Sequence, residues 1–75
     1  MDIQRLIKLA NNIGSFFAAE PDETKGVQGV ATHLKNFWEP RMRRQIFEYL
    51  DGEEGKGLSD IVLIALRTHR KDLAP

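Results

Sequence analysis

Leu58-Ser59-Asp60-Ile61-Val62-Leu63-Ile64-Ala65-Leu66 contains the longest apolar run of the chain, Ile61 to Leu66. Ile61-Val62-Leu63-Ile64 is rich enough in β-branched and apolar side chains to pass for a buried strand. A strand needs a partner, and no second segment of the chain reads as one, so the stretch is assigned to a helix. Ser59 is its expected N-cap and Asp60 lies in its first turn. Leu58 and Leu63 occupy the positions of a hydrophobic staple. Arg67, His69, Arg70 and Lys71 place positive charge toward the C-terminal end, as the helix dipole prefers. This helix is expected near residues 59–71. With it assigned, nothing else in the chain asks for a sheet.

Working back, Asp51-Gly52-Glu53-Glu54-Gly55-Lys56-Gly57 holds three glycines and no apolar side chain, and residues 52–57 read as a glycine-rich acidic loop. Before it, Pro40 suits the first position of a helix near 40–51. Met42, Ile46, Tyr49 and Leu50 share one face of that helix, with Phe47 beside them. Glu39-Pro40 separates it from a helix near 22–38, whose stripe is Val27, Val30, Ala31, Leu34 and Trp38. Gly26, Gly29 and His33 lie on a different face. Each internal glycine costs about 1 kcal/mol relative to alanine, so the pair either permits a close helix contact or marks a frayed start. Asp22 is the expected cap, with Glu23 at the positive end and Pro21 closing the preceding segment. The first helix, near 2–19, starts at Asp2. Ile3, Leu6, Ile7, Ala10, Gly14 and Phe17 form one row and Leu9, Ile13 and Phe16 a second, a wide apolar arc beside the polar Arg5, Lys8, Asn12 and Ser15. Asn11-Asn12-Ile13-Gly14 is an alternative break, but no proline forces one. The expected fold is all-α: residues 1–75 as a small single-domain bundle or array of about four helices.

Composition excludes several classes of function. Eleven acids balance eleven bases, without the basic excess of a typical nucleic-acid binder. There is no cysteine for a disulfide or thiolate site. The longest apolar run, Ile61 to Leu66, is six residues, against the roughly 20 of a membrane span. With no export signal at the start, a soluble cytoplasmic chain is expected. No phosphate-cradling loop is present. His33 has no strong ligand on its face, and His69 with Asp72 supplies two donors at a helix end. Neither Ser15 nor Ser59 has an evident base. Catalysis by this chain is not expected.

Two local rules are broken at the corner between the second and third helices. Arg41, Arg43 and Arg44 crowd the positive end of a helix dipole, mildly unfavourable by about 0.3–1 kcal/mol each. Glu39 and Glu48 are their local counter-charges, Arg44 and Glu48 being four residues apart. Guanidinium forks pair with carboxylate or phosphate, so a partner surface is the alternative use. Phe37-Trp38 adds two large aromatics at the same corner. Trp38 continues the apolar stripe and suits a core plug; Phe37 lies off its centre and could face a partner. Aromatic and arginine side chains together dominate binding hot spots. A 75-residue chain has little interior for so much apolar surface, so either one helix is central or another protein covers part of it, and periodicity does not separate the two.

Ile7-Lys8-Leu9-Ala10-Asn11-Asn12-Ile13-Gly14-Ser15-Phe16-Phe17, Val30-Ala31-Thr32-His33-Leu34-Lys35-Asn36-Phe37-Trp38 and above all Phe37-Trp38-Glu39-Pro40-Arg41-Met42-Arg43 resemble the delta subunit of NAD-dependent formate dehydrogenase. The resemblance spans about Ile3 to Leu66. It implies a non-catalytic accessory subunit of a cytoplasmic bacterial complex that oxidises formate to carbon dioxide. The large (alpha) subunit of that complex would be its partner. The bis-pterin guanine dinucleotide with molybdenum or tungsten, the iron–sulfur clusters, FMN and the NAD site would all lie in other subunits. The implied role is assembly, stability or cofactor insertion, with Phe37, Trp38, Glu39, Pro40, Arg41, Met42, Arg43 and Arg44 as the expected partner-binding residues. The alternative is a small helical nucleic-acid-binding or regulatory interaction protein.

Overall fold

Each of the first two helices begins on an aspartate whose carboxylate takes over backbone donors that the helix leaves free. Asp2 accepts from the Gln4 N–H at 3.0 Å, and Asp22 from the Thr24 and Lys25 N–H groups at 3.0 and 3.4 Å. The computed structural model describes all residues, 1–75, as five helices: α1 (Ile3–Phe17), α2 (Glu23–Phe37), α3 (Pro40–Glu53), α4 (Asp60–Thr68) and α5 (Arg70–Leu73). There is no strand, and Ile61-Val62-Leu63-Ile64 lies within α4. The radius of gyration, 11.0 Å, matches the roughly 11 Å of a folded chain this long.

α3 runs further than its glycine content suggests. It continues through Gly52 to Glu53 and stops where Glu54 turns left-handed, φ 56°, followed by Gly55 at φ 70°. A residue in this left-handed conformation is a common way to end a helix, and Gly52 upstream does not adopt it. The helix expected over 59–71 is also divided. His69, φ −107° and ψ 23°, ends α4, and Arg70 to Leu73 form one further turn folded back on α2 and α4. That turn brings Leu73 into the core, where it is 1% exposed.

α2 is the centre of the packing, in contact with α1, α4 and α5, while α1 also touches α3 and α4. The core joins Leu6 and Ala10 of α1, Val30 and Leu34 of α2, Ile46 of α3, and Val62 and Leu66 of α4. Three helical glycines set the approach distances. A Cβ on Gly14 would lie 2.8 Å from Val62 of α4. On Gly26 it would lie 2.8 Å from the Phe17 carbonyl, and on Gly29 2.3 Å from the Phe17 ring. The glycines of α2 therefore serve a close helix contact rather than a frayed start.

The start of α4 differs from the expected cap. Ser59 holds the N-cap position, but its side chain makes no capping hydrogen bond, and its buried Oγ has no partner. Asn11 of α1 supplies the fixing contacts instead. Its Oδ1 accepts from the Ser59 N–H at 2.8 Å, and its Nδ2 donates to the Gly57 carbonyl at 2.9 Å. Asn11 thus clamps the loop to α1 in a helix that continues unbroken past it.

Candidate functional site

The corner between α2 and α3 is held by four residues with separate tasks. Trp38, buried, ends α2 in an extended conformation, and its N–H donates to the Leu34 carbonyl at 3.0 Å. Glu39 is the N-cap of α3 without a side-chain cap bond; its carbonyl accepts from the Arg43 N–H at 3.1 Å. Pro40 opens α3 at a position that has no N–H to satisfy. Arg43 is 9% exposed and its guanidinium donates to the Leu73 carbonyl at 3.2 Å, tying the corner to α5. The Arg43 Nε lacks a partner in the chain.

The eight residues singled out in the sequence therefore separate. Trp38 and Arg43 are turned into the fold, and Met42 is half-buried. Phe37, Glu39, Pro40, Arg41 and Arg44 are exposed. Phe37 is 72% exposed, and its ring lies 4.7 Å from that of His33 one turn earlier on α2. Neither Glu39 nor Glu48 pairs with an arginine: the single ion pair of the chain is Arg70–Asp51, 2.6 Å, elsewhere on the surface. Arg41 and Arg44 thus stand free at the positive end of the α3 dipole.

Sequence reasoning grouped Arg43 with its neighbours, yet a signal for its burial was available. Arg43 precedes Ile46, Phe47 and Leu50 by three, four and seven residues, the spacing of one helix face. All four are buried, whereas Met42 and Tyr49, read as members of that face, lie at its half-buried edge. Asp51 and Arg70 carry no such signal. They are 19 residues apart and meet through two hydrogen bonds of 2.9 and 2.6 Å, with the guanidinium 5.0 Å from the Phe47 ring centre. These hydrogen bonds from Arg70 hold the Asp51 carboxyl below its ordinary value.

The largest concavity, an open groove of about 650 Å³ between the end of α1 and the start of α4, is lined by Ser59, Asp60, Glu20 and Glu23 among others. Ser59 Oγ meets no base there. No three His, Cys, Asp or Glu side chains come together, and there is no thiolate, so the donor set fits neither a metal ion nor an iron–sulfur cluster. No helix is long and apolar enough to cross a membrane.

A small all-α chain with an exposed cationic and aromatic corner carries the side-chain types that protein interfaces favour. Residues 5–66 match the family described as NADH-dependent formate dehydrogenase delta subunit FdsD, and the chain belongs to that family. No curated protein and no solved structure matches it.

Proposed function

We propose that this chain is a non-catalytic docking subunit of a cytoplasmic, molybdenum- or tungsten-dependent formate dehydrogenase, seated on the large catalytic subunit through the α2–α3 corner. Membership of the delta-subunit family supports the complex. One observation carries the corner: Phe37, Arg41 and Arg44 are exposed, and neither guanidinium is ion-paired, on a backbone that Trp38, Pro40 and Arg43 hold in place. Phe37 supplies an apolar anchor of low entropy cost, and the two guanidiniums reach carboxylates of the large subunit. Trp38 and Arg43 act from beneath by fixing the angle between the helices. Cofactor insertion or simple stabilisation of the large subunit would each use this same contact.

The test is co-purification of the formate dehydrogenase complex through a tag on this chain. The paired change Arg41→Ala and Arg44→Ala leaves the core untouched. It is expected to weaken retention of the large subunit by about 2–5 kcal/mol if the pairs are desolvated in the complex. Full retention, with unaltered helicity of the variant, would remove the corner from the interface.

A further inference from the structure

The open groove between the end of α1 and the start of α4 has no part in the corner. Glu23 opens α2 and Phe37 closes it, so the groove and the corner stand about 20 Å apart, at opposite ends of one helix. Part of the groove wall is apolar: Ile61 is half-buried, Ala18 is exposed and Ile64 is 37% exposed. Beside them stand Glu20, Glu23 and Asp60, all exposed. The acidic and apolar parts meet over Gly26, where a Cβ would lie 3.3 Å from Ile61 and 3.6 Å from Glu20. No lysine, arginine or histidine lines the groove.

The charge of this groove is not balanced within the chain. None of the three carboxylates is ion-paired. Lys8, Lys25 and Arg67 are the cations nearest to it along α1, α2 and α4, and they neither line it nor pair with its acids. Glu23 and Asp60 lie in the first turns of α2 and α4, whose positive dipole ends supply roughly half a charge each. The negative end of the α1 dipole meets the same groove, with no basic residue in its last turn and no hydrogen bond to the Ser15 carbonyl. The excess is about two to three negative charges. These acids do not converge on a point where one metal ion could bind, so the charge is spread along the rim.

We infer that this groove receives a basic segment of another subunit: a lysine or arginine whose aliphatic stem lies on Ile61 and Ile64 and whose charged head reaches Glu20, Glu23 or Asp60. The inference rests on the reading of this chain as a docking subunit and gives it a second point of attachment. An apolar wall beside unpaired carboxylates matches the division of these side chains into stem and head. Charge complementarity fixes the sign of the occupant. α2 then carries Arg41 and Arg44 past one end and an acidic groove at the other. A partner docked in the reversed sense would bring like charges together at both.

Recovery of the other subunits through a tag on the full chain tests the assignment. Glu20→Lys with Glu23→Lys is expected to lower recovery at least tenfold, whereas Glu53→Lys with Glu54→Lys, the same change outside the groove, keeps it within twofold. Ile64 separates charge from folding. Lysine and glutamate have similar helix propensity, and the surrounding acids favour lysine in the folded chain. Ile64→Lys should nevertheless recover at least tenfold less than Ile64→Glu, because it repels a basic occupant. Recovery within twofold of wild type for Glu20→Lys with Glu23→Lys overturns the inference. So does an equal loss at Glu53 and Glu54, or Ile64→Glu falling as far as Ile64→Lys. A head-to-tail oligomer of the isolated chain that Glu20→Lys with Glu23→Lys abolishes would put a second copy in the groove and overturn it too. If the wild-type chain retains no subunit, the docking reading fails and the groove with it. If Arg41→Ala with Arg44→Ala loses the complex while the groove variants keep it, only the groove is refuted.

Discussion

Two glycines within helices should respond to alanine with opposite signs. At Gly52 of α3 an added methyl group would have nothing within 4 Å, so alanine there gains helix propensity alone, about 0.5–1 kcal/mol. At Gly29 of α2 the same gain is offset by Phe17. A Cβ would stand 2.3 and 2.4 Å from two ring carbons and 3.0 Å from Cγ at the base of the ring. Contacts this short, reaching as far back as Cγ, are not relieved by a small tilt, so the ring must leave for another rotamer. Full burial of a phenylalanine side chain is worth about 1.5–3 kcal/mol, and the half-buried Phe17 forfeits a large share of it. Gly29→Ala should therefore destabilise by about 0.5–2 kcal/mol and Gly52→Ala stabilise by up to about 1 kcal/mol. Urea unfolding followed by far-UV circular dichroism resolves this. With a slope of about 1 kcal/mol per molar for a small chain, the two midpoints should separate by about 1–3 M on either side of wild type. A Gly29→Ala midpoint at or above that of Gly52→Ala would refute the argument that α1 and α2 meet through this glycine.

Ser59→Ala should be neutral or stabilising, against the usual 0.5–2 kcal/mol loss on removing an N-cap serine, because Ser59 Oγ is buried without a partner; Asn11→Ala should cost about 1–3 kcal/mol, as the start of α4 depends on it, and thermal unfolding of the two variants ranks them. The Asp51–Arg70 pair gives a pH signature. Its folded-state carboxyl lies below the unfolded value of about 3.9, so its contribution is complete above that pH and disappears as the pH falls through the folded value. The gap in melting temperature between wild type and Asp51→Asn should accordingly be constant from pH 5 to 7 and close in more acidic solution, and a gap that persists there would exclude the pair as its source.

Much of the architecture was legible because it is written locally. Asp2, Asp22 and Pro40 mark helix starts through chemistry confined to one turn, and the α2 stripe from Val27 to Trp38 is buried as its spacing predicts. The division of α4 at His69 was not legible, since what holds Leu73 is an apolar slot built by other helices. Gly26 and Gly29 left two readings open until Phe17 of another helix closed one of them. At the corner, Phe37 was correctly placed off the stripe, but a run of three arginines concealed that one of them shares its helix face with Ile46, Phe47 and Leu50. Composition identifies a cationic cluster; only periodicity separates the members that reach solvent.

The hydrogen bond from Arg43 to the Leu73 carbonyl has a consequence for how such chains are trimmed. The span shared with the delta-subunit family stops at residue 66, yet the carbonyl that quiets a nearly enclosed guanidinium belongs to residue 73, as does the leucine filling the slot beside it. A fragment cut at the edge of the shared region would keep every recognisable motif and still uncover a cation and an empty apolar notch behind the corner. The homologous region and the cooperative folding unit are different lengths of the same polypeptide.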